Sequence, residues 1–191
     1  RHDRTRSWLP AVRAGGLVVM AEAYGESAEA GSGPESLALA RRYPNVCFLR
    51  TFSKAYGLAG LRVGYAVAAP DIAEGLRRTA LPFSVSALAQ KAAIASLGAG
   101  EEMEARVTAV KQERARMAAQ LEAQGWKLLP SQGNFLWIRT DESLLARLVG
   151  AFDRAGILVR AYQGDGVRIT VAGPASNDRG LRLLEAHAAG K

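Results

Sequence analysis

The sequence contains one cysteine and two histidines, and it has no long uncharged apolar run. A single thiol, Cys47, excludes an internal disulfide, and its apolar surroundings in VCFL are typical of a small buried residue. His2 and His187 are too far apart in the sequence to indicate a zinc site, so no metal is expected. No apolar run is long enough for a membrane span or a signal peptide. The sequence therefore predicts a cytoplasmic protein without a membrane partner.

Aromatic residues are also sparse, at 7% of the 191 residues, although the net charge is +7. The arginines are dispersed among acidic residues, as in EEMEARVTAVKQERARM, and no aromatic residues recur at stacking intervals. Nucleic-acid binding, with an affinity that falls steeply with salt, is therefore the weakest alternative. With 49% hydrophobic residues, the chain can bury a core as one large domain or two small ones.

Short apolar, β-branched runs alternate with helix signals over the first half of the chain. A buried strand is predicted at 17–21, a helix after Pro34 in ESLALARRY, and a second strand in NVCFLR. A third strand follows in RVGYAVA, and a helix opens with Pro-Asp in PDIAEGLRRT. This alternation predicts a three-layer α/β fold with a mostly parallel sheet, in which ligands bind at the carboxyl ends of the strands.

The pattern changes after about residue 98. A helix in SVSALAQKAAIASLG precedes a long helix at 101–124, in which Met103, Val107, Val110, Met117 and Leu121 form one packing stripe. Two short strands in WKLLPSQGNFLWIRT, a helix at 141–154, strands in GILVRA and GVRITVA, and a closing helix capped by Ser176 or Asn177 follow. We therefore predict that 1–98 is the C-terminal part of a large domain and that 99–191 is a linking helix with a small α/β domain.

One lysine lies between a serine and a glycine-dotted turn, in FLRTFSKAYGLAGLRVGYAVA. Lysines are usually exposed, but Lys54 has apolar neighbours, and a desolvated lysine can form a Schiff base with an aldehyde. These neighbours are Phe52, Tyr56, Leu58 and Leu61. Thr51, Ser53 and Arg62 add phosphate-binding groups, and glycines 57, 60 and 64 allow a close approach of the backbone. An aldehyde carried beside a phosphate indicates pyridoxal phosphate.

The segment RTFSKAYGLAGLRVGY resembles the lysine segment of the fold-type I pyridoxal-phosphate aminotransferases, and most closely that of the histidinol-phosphate aminotransferases. Six segments follow in the order of that family and at about its spacing: VVMAEAY, YPNVCFLRTFSK, LPFSVSALAQKAA, PSQGNFLWI, GILVRA and VRITVAGPASNDR. The resemblance covers nearly the whole chain from Leu17 onward. It implies a class I/II aminotransferase of which the chain is the C-terminal portion.

The resemblance also implies a role for each residue near the lysine. Lys54 would be the catalytic residue, binding pyridoxal 5'-phosphate and shuttling the proton between the substrate Cα and the cofactor C4′. Thr51, Ser53 and Arg62 would hold the cofactor phosphate, and Tyr24 would form a hydrogen bond with the ring hydroxyl. The implied reaction is ping-pong transfer of an amino group between L-histidinol phosphate and the 2-oxo acid 2-oxoglutarate.

Three residues near the C-terminus would bind the substrate by the same resemblance. Arg168 would clamp the substrate α-carboxylate, Arg160 would assist with its distal phosphate, and Asn134 would lie close to the substrate pocket. Each arginine could instead be a surface charge at a strand end, but each adjoins an apolar β-branched run, which favours the clamp.

The sequence departs from the family at the residue that pairs with the pyridinium nitrogen. The family pattern is Asp-Glu-Ala-Tyr, whereas this chain has Ala21, Glu22, Ala23 and Tyr24. An alanine cannot keep the ring nitrogen protonated, and Glu22 is expected on the opposite face of the strand. The sequence therefore predicts weak or absent transamination.

A second departure is that the chain begins inside the cofactor domain of the family. We expect either a fragment of a longer protein or a truncated product that needs a partner chain, and the intact family member is expected to be a homodimer. Aromatic aminotransferases and a threonine-phosphate decarboxylase share most of these segments, and a catalytically inactive remnant that acts as a binding domain is a further alternative.

Overall fold

The computed structural model describes residues 16–29 and 36–188, which form two compact units. The first unit extends to Ala105 and the second begins at Arg106, so the division lies inside a long helix. The sequence placed the domain boundary after residue 98, just before that helix.

A three-stranded sheet organises the first unit, in the order β1 (Val18–Ala21), β2 (Val46–Thr51) and β3 (Gly64–Val67). β1 and β2 are parallel because the helix α1 (Ser36–Arg42) returns the chain between them. β2 and β3 are antiparallel because residues 52–63 contain only a short 3-10 helix, Ala59–Leu61, and no crossover helix. The prediction of a mostly parallel sheet thus holds for the first strand pair and not for the second.

The two faces of this sheet have different surroundings. Val18 and Val46 are buried on the face that carries α1, where partly buried Met20, Leu39, Ala40 and Tyr43 pack against them. On the opposite face Val19 and Leu49 are exposed, whereas Cys47 is buried. The alternation of side chains along each strand produces this contrast.

Two helices complete the first unit as the sequence predicts. α2 (Pro70–Thr79) begins with its proline in the first turn, where the missing backbone N–H costs nothing. α3 (Ala87–Gly98) is capped by Ser86, whose Oγ accepts a hydrogen bond from the amide of Ala89 at 3.1 Å.

The second unit is a four-stranded antiparallel sheet packed against helices. Its strands are β4 (Leu128–Leu129), β5 (Phe135–Arg139), β6 (Arg160–Tyr162) and β7 (Gly166–Thr170), in the order β4-β5-β7-β6. Its helices are α4 (Gly100–Ala123), which crosses the division between the units, α5 (Glu142–Arg154) and α6 (Pro174–Ala186). The core includes Met117, Leu121, Ile138, Leu148 and Phe152. The predicted stripe of α4 is thus buried at Val107, Met117 and Leu121.

The predicted cap of α6 is wrong. The helix begins at Pro174 and Gly173 occupies the N-cap position, so Ser176 and Asn177 lie within the first turns. Pro174 starts the helix earlier than the polar residues suggest because its fixed φ suits the first helical position. Asn177 instead holds the preceding loop, accepting a hydrogen bond from the Ala172 amide at 3.0 Å and donating one to its carbonyl at 2.8 Å.

Within the described parts of the chain, no helix combines the length and the apolarity that crossing a bilayer requires.

Candidate functional site

The carboxyl ends of β1 and β2 bring the predicted lysine next to the predicted tyrosine. The two strands are parallel neighbours, so Tyr24, which follows β1, and Lys54, which follows β2, lie at the same edge of the sheet. Lys54 Nζ is 5.5 Å from the centroid of the Tyr24 ring. The resemblance implies that both residues bind the cofactor, Lys54 through its amine and Tyr24 through its phenol.

The environment of Lys54 differs from the sequence prediction. Its side chain is exposed, not enclosed by its apolar neighbours. Those neighbours turn towards α3 and form a cluster that comprises Phe52, Tyr56, Leu58, Leu61, Val63, Val85, Ala89 and Ala93. They turn away because packing against α3 removes their apolar surface from water. The amine is therefore reachable by a ligand from solvent.

The backbone around Lys54 forms a tight turn that presents the neighbouring hydroxyl groups. Thr51 Oγ1 accepts a hydrogen bond from the Ser53 amide at 3.1 Å. The Gly57 amide donates to the Lys54 carbonyl at 2.9 Å, and Gly57 has φ 72°, a conformation that favours glycine. Thr51 and Ser53 thus lie together in the segment that leads into Lys54.

Arg62 adopts a left-handed backbone conformation with φ 53°, which is uncommon for a residue with a Cβ. Its Nη1 donates to the Ala59 carbonyl at 2.9 Å, and the rest of the side chain is exposed. The hydrogen bond from the Phe52 amide to the Val63 carbonyl, at 3.1 Å, continues the pairing of β2 with β3 by one residue. The pairing of the two strands therefore ends at Phe52 and Val63, the residues next to Ser53 and Arg62.

One glycine of this region has a task within the fold itself. The sequence suggested that glycines 57, 60 and 64 let the backbone approach a ligand. A Cβ on Gly64 would lie 2.6 Å from the Arg50 carbonyl oxygen, so this glycine permits the close pairing of β3 with β2. A Cβ on Gly60 would meet no atom within 4 Å.

Ala21 is the last residue of β1, and Glu22 directly follows it with its side chain on the α1 side of the sheet, where Ser36 lies. Glu22 Oε2 forms an ion pair with Arg50 Nε at 2.9 Å, and Ser36 Oγ donates to Glu22 Oε1. Because its carboxylate is engaged by these partners, Glu22 does not replace the missing aspartate. At the position where the family has an aspartate for the pyridinium nitrogen, this chain has only the methyl group of Ala21.

An acidic pair surrounds Arg50, and sequence reasoning missed this cluster. The guanidinium Nη1 is 3.1 Å from Glu26 Oε1, in addition to its contact with Glu22. Burial raises the pKa of Glu22 above its ordinary value, and Arg50 offsets only part of this effect. The available signal was an arginine inside the otherwise apolar run VCFLRT, with two acids in the turn after the preceding strand.

Two of the predicted substrate residues, Arg160 and Arg168, lie on one face of the sheet of the second unit. Arg168 on β7 pairs with Trp137 on β5 and with Arg160 on β6, so these three residues form a row across the strands. The Arg168 guanidinium is 5.0 Å from the Phe135 ring centroid, and Arg160 is 5.8 Å from that of Tyr162. Both arginines therefore combine a cation with an adjacent aromatic face.

Within the described residues, this face carries an unpartnered polar atom and a pair of packed aromatic rings. Arg168 Nε is buried, and none of the residues in 16–29 and 36–188 provides it with a hydrogen-bond partner. The rings of Trp137 and Tyr162 are 4.9 Å apart and tilted by 51°. Phe135, Trp137 and Tyr162 were not predicted as site residues, although the alternation of Phe135 and Trp137 with buried Leu136 and Ile138 was a signal for a shared face. We call Phe135, Trp137, Arg160, Tyr162 and Arg168 the arginine–aromatic face.

Asn134 lies directly before β5 and is half-buried. Its carbonyl accepts a hydrogen bond from the Val171 amide at 2.8 Å, which extends the pairing of β5 with β7. This bond fixes the backbone of Asn134 next to the arginine–aromatic face.

Two apolar cavities of the first unit do not include Lys54. One of 640 Å³ is lined in part by Leu17, Ile72 and Leu76, and one of 620 Å³ by residues that include Ile94 and Leu97. Lys54 and Tyr24 therefore lie at the carboxyl ends of β1 and β2 and not in either cavity.

Known proteins resemble this chain over most of its length. A family model described as aminotransferase class I and II matches residues 9–182. The aromatic amino acid aminotransferase of Streptomyces coelicolor is 48% identical over 185 residues, which are 97% of this chain and 51% of that protein. The chain thus spans about half the length of the curated relatives it matches.

Solved structures also resemble the fold. One is the histidinol-phosphate aminotransferase of Sinorhizobium meliloti in complex with pyridoxal-5'-phosphate, with a TM-score of 0.87 and 29% identity. The match covers 99% of this chain and 53% of the Sinorhizobium chain. L-Threonine-O-3-phosphate decarboxylase of Porphyromonas gingivalis has a TM-score of 0.80 at 23% identity, over 99% of this chain and 60% of that chain. At that identity the second likeness concerns the fold alone.

Proposed function

The chain belongs to the class I and II aminotransferase family, and we propose that the protein containing it transfers amino groups with pyridoxal 5'-phosphate as its cofactor. The observation that carries this proposal is the position of Lys54 Nζ, exposed and 5.5 Å from the Tyr24 ring. An aldehyde at this amine would lie beside the phenol.

The residues of the first unit fit the cofactor at three points and fail at one. Lys54 offers the amine, Tyr24 a phenol, and Thr51 and Ser53 hydroxyl groups for the phosphate. Ala21 offers nothing to the pyridine nitrogen. When bound, the cofactor supplies the electron sink that stabilises a negative charge at the substrate Cα.

The chain's own residues would bind the cofactor phosphate and the substrate, and would move a proton. Lys54 Nζ would take the proton from the substrate Cα and return it, which is the task of a general base. Arg62 would neutralise the phosphate charge, and Arg168, with its buried and unpartnered Nε, supports binding of the substrate carboxylate. Asn134 would line the substrate pocket beside Arg168.

We propose an aromatic amino acid as the amino donor. The Trp137 and Tyr162 rings on the arginine–aromatic face would pack against a flat side chain. The relatives that are 48% identical and named aromatic amino acid aminotransferases support the same donor.

L-Histidinol phosphate is the second candidate donor. Arg160 favours it, since an exposed second guanidinium in the same row as Arg168 suits a phosphate. The 29% identical structural relative named histidinol-phosphate aminotransferase gives further support. A catalytically inactive remnant is the alternative to both. Homodimer formation and the cytoplasmic location stay predictions.

The test is formation of glutamate from 2-oxoglutarate with L-phenylalanine or L-histidinol phosphate as donor, in the presence of cofactor. We expect Lys54→Ala to abolish turnover of both donors. Trp137→Leu should lower turnover of phenylalanine selectively, and Arg160→Gln that of histidinol phosphate. Arg139→Gln, at the exposed end of β5, is the matched control. Turnover that survives Lys54→Ala would reject the proposal.

A further inference from the structure

Arg50 holds the turn that carries Tyr24 from both of its sides. Its Nε is 2.9 Å from Glu22 Oε2, before the tyrosine, and its Nη1 is 3.1 Å from Glu26 Oε1, after it. All three side chains are largely withdrawn from solvent, with exposed fractions of 27% for Arg50, 15% for Glu22 and 13% for Glu26. A planar guanidinium can bind two carboxylates at once because its donors point in fixed directions.

The guanidinium also lies directly against the backbone of this turn. A Cβ on Gly25 would be 2.9 Å from Arg50 Nη1 and 3.0 Å from its Cζ. A side chain at position 25 would therefore push the guanidinium away from the turn. Glycine at this position allows Arg50 to contact the turn between its two acidic partners.

Backbone hydrogen bonds complete the connection from β2 to the turn. The Glu22 amide donates to the Leu49 carbonyl at 3.0 Å, the Gly25 amide to the Glu22 carbonyl at 3.2 Å, and the Ser27 amide to the Tyr24 carbonyl at 3.0 Å. Arg50 is four residues before Lys54 on the same segment. One side chain thus links the segment of the lysine to the segment of the tyrosine.

We propose that Arg50 is a positioning residue, which clamps the turn of Tyr24 through Glu22 and Glu26 and thereby keeps the Tyr24 phenol beside Lys54. The role of the Tyr24 phenol beside Lys54 rests on the proposed function. The clamp formed by Arg50, Glu22 and Glu26 is a property of the cofactor-free protein. A purely structural ion pair would stabilise the fold without coupling to Tyr24.

The first test uses the cofactor-free protein. Arg50→Lys keeps the positive charge, but an ammonium group lacks the planar set of donors that binds both carboxylates. We therefore expect hydrogen exchange at the Gly25 and Ser27 amides to accelerate about tenfold. Glu26→Gln should accelerate it less. Arg78→Lys, which alters an ion pair with Glu74 on the exposed face of α2, is the control. Unchanged exchange in Arg50→Lys would overturn the clamp.

The second test measures coupling to Tyr24 in the cofactor-loaded protein. We expect Arg50→Lys and Tyr24→Phe to shift the pH midpoint of the cofactor's visible absorbance in the same direction, and the double variant to shift it no further than Tyr24→Phe alone. The positioning role would be overturned if the shifts of the two single variants added up in the double variant, or if Tyr24→Phe shifted the midpoint and Arg50→Lys did not. A protein that forms no absorbance band contradicts the proposed function instead, and the exchange measurement still decides on the clamp.

Discussion

At the end of β1, Ala21 carries a methyl group where the family resemblance implies an aspartate. The adjacent carboxylate of Glu22 is bound to Arg50 and Ser36 on the other face of the sheet, so it cannot reach the same ligand atom. A cofactor held by Lys54 and Tyr24 would therefore lack an anionic partner at its ring nitrogen. The loss affects the electron sink and leaves the amine and the phenol in place.

Restoring this carboxylate should increase the rate. A charge-assisted hydrogen bond to the ring nitrogen contributes about 2 kcal/mol, so Ala21→Asp should raise kcat about 30-fold for either amino donor. Ala21→Asn, which cannot keep the nitrogen protonated, is the matched control and should give little increase. Equal rates in the wild-type protein and Ala21→Asp would contradict this account of the site.

At the scale of elements, the pairing of β2 with β3 sets the path of the chain through the lysine turn. Gly64 lies opposite Thr51, and its Cα is so close to the Arg50 carbonyl that no side chain fits without movement of the backbone. The first residue of β3 therefore determines the geometry of the last residue of β2.

Substitution of this glycine should destabilise the first unit. Gly64→Ala would place a Cβ 2.6 Å from backbone oxygen, and we expect the free energy of unfolding to fall by about 1–3 kcal/mol. Gly75→Ala, inside α2 and with no atom within 4 Å of its new Cβ, should stabilise by about 1 kcal/mol. Urea unfolding followed by circular dichroism measures both. A harmless Gly64→Ala would show that the strands can separate at no cost.

In the second unit, an ion-pair network connects α4 to α6. Arg116 Nη2 is 2.6 Å from Glu113 Oε1 and 2.7 Å from Asp178 Oδ1, and Asn177 Nδ2 donates to Glu113 Oε1 at 2.9 Å. The hydrogen bond from Arg116 lowers the pKa of Glu113 below its ordinary value of 4.5, against the effect of burial.

This shift gives a prediction for acid stability. The folded protein binds a proton at Glu113 less readily than the unfolded chain, so the stabilisation is present above pH 4.5 and is lost as the pH falls through the lower folded value. Glu113→Gln should flatten the decline in unfolding free energy below pH 4.5, measured by urea titration at several pH values. An identical decline in both proteins would refute the assignment.

The elements were predictable where local signals are strong. Pro70 and Asp141 mark predicted helix starts that the structure confirms, with Asp141 accepting from the Leu144 amide at 2.7 Å. The antiparallel β3 was not predicted, because an apolar run does not encode strand direction. The row of Trp137, Arg168 and Arg160 also depends on register between strands that are distant in sequence, which period-2 alternation alone does not fix.

At the scale of the whole molecule, the two units differ in how much apolar surface they bury. The core of the second unit contains fourteen buried residues in one cluster, whereas buried residues of the first unit form clusters of four and two. Eleven of the fourteen exposed large hydrophobic residues in the described segments belong to the first unit. The first unit therefore has less hydrophobic stabilisation of its own.

Hydrogen exchange should reveal this difference. In the protein without cofactor, we expect amides of β5 and β7 to exchange more slowly than those of β1, β2 and β3, because opening the second unit exposes the larger core. Peptide-resolved exchange with mass spectrometry measures both sheets in one sample. Equal or slower exchange in the sheet of the first unit would mean that its exposed apolar surface is covered in solution.

The central claim, that Lys54 binds an aldehyde cofactor, is tested most directly by chemical trapping. The protein is mixed with pyridoxal 5'-phosphate, reduced with borohydride and digested, and the labelled peptide is identified by mass spectrometry. The account predicts a single label on Lys54, absent in Lys54→Ala and retained in Lys91→Ala, an exposed lysine on α3. No label, or a label spread equally over the other lysines of the chain, would contradict it.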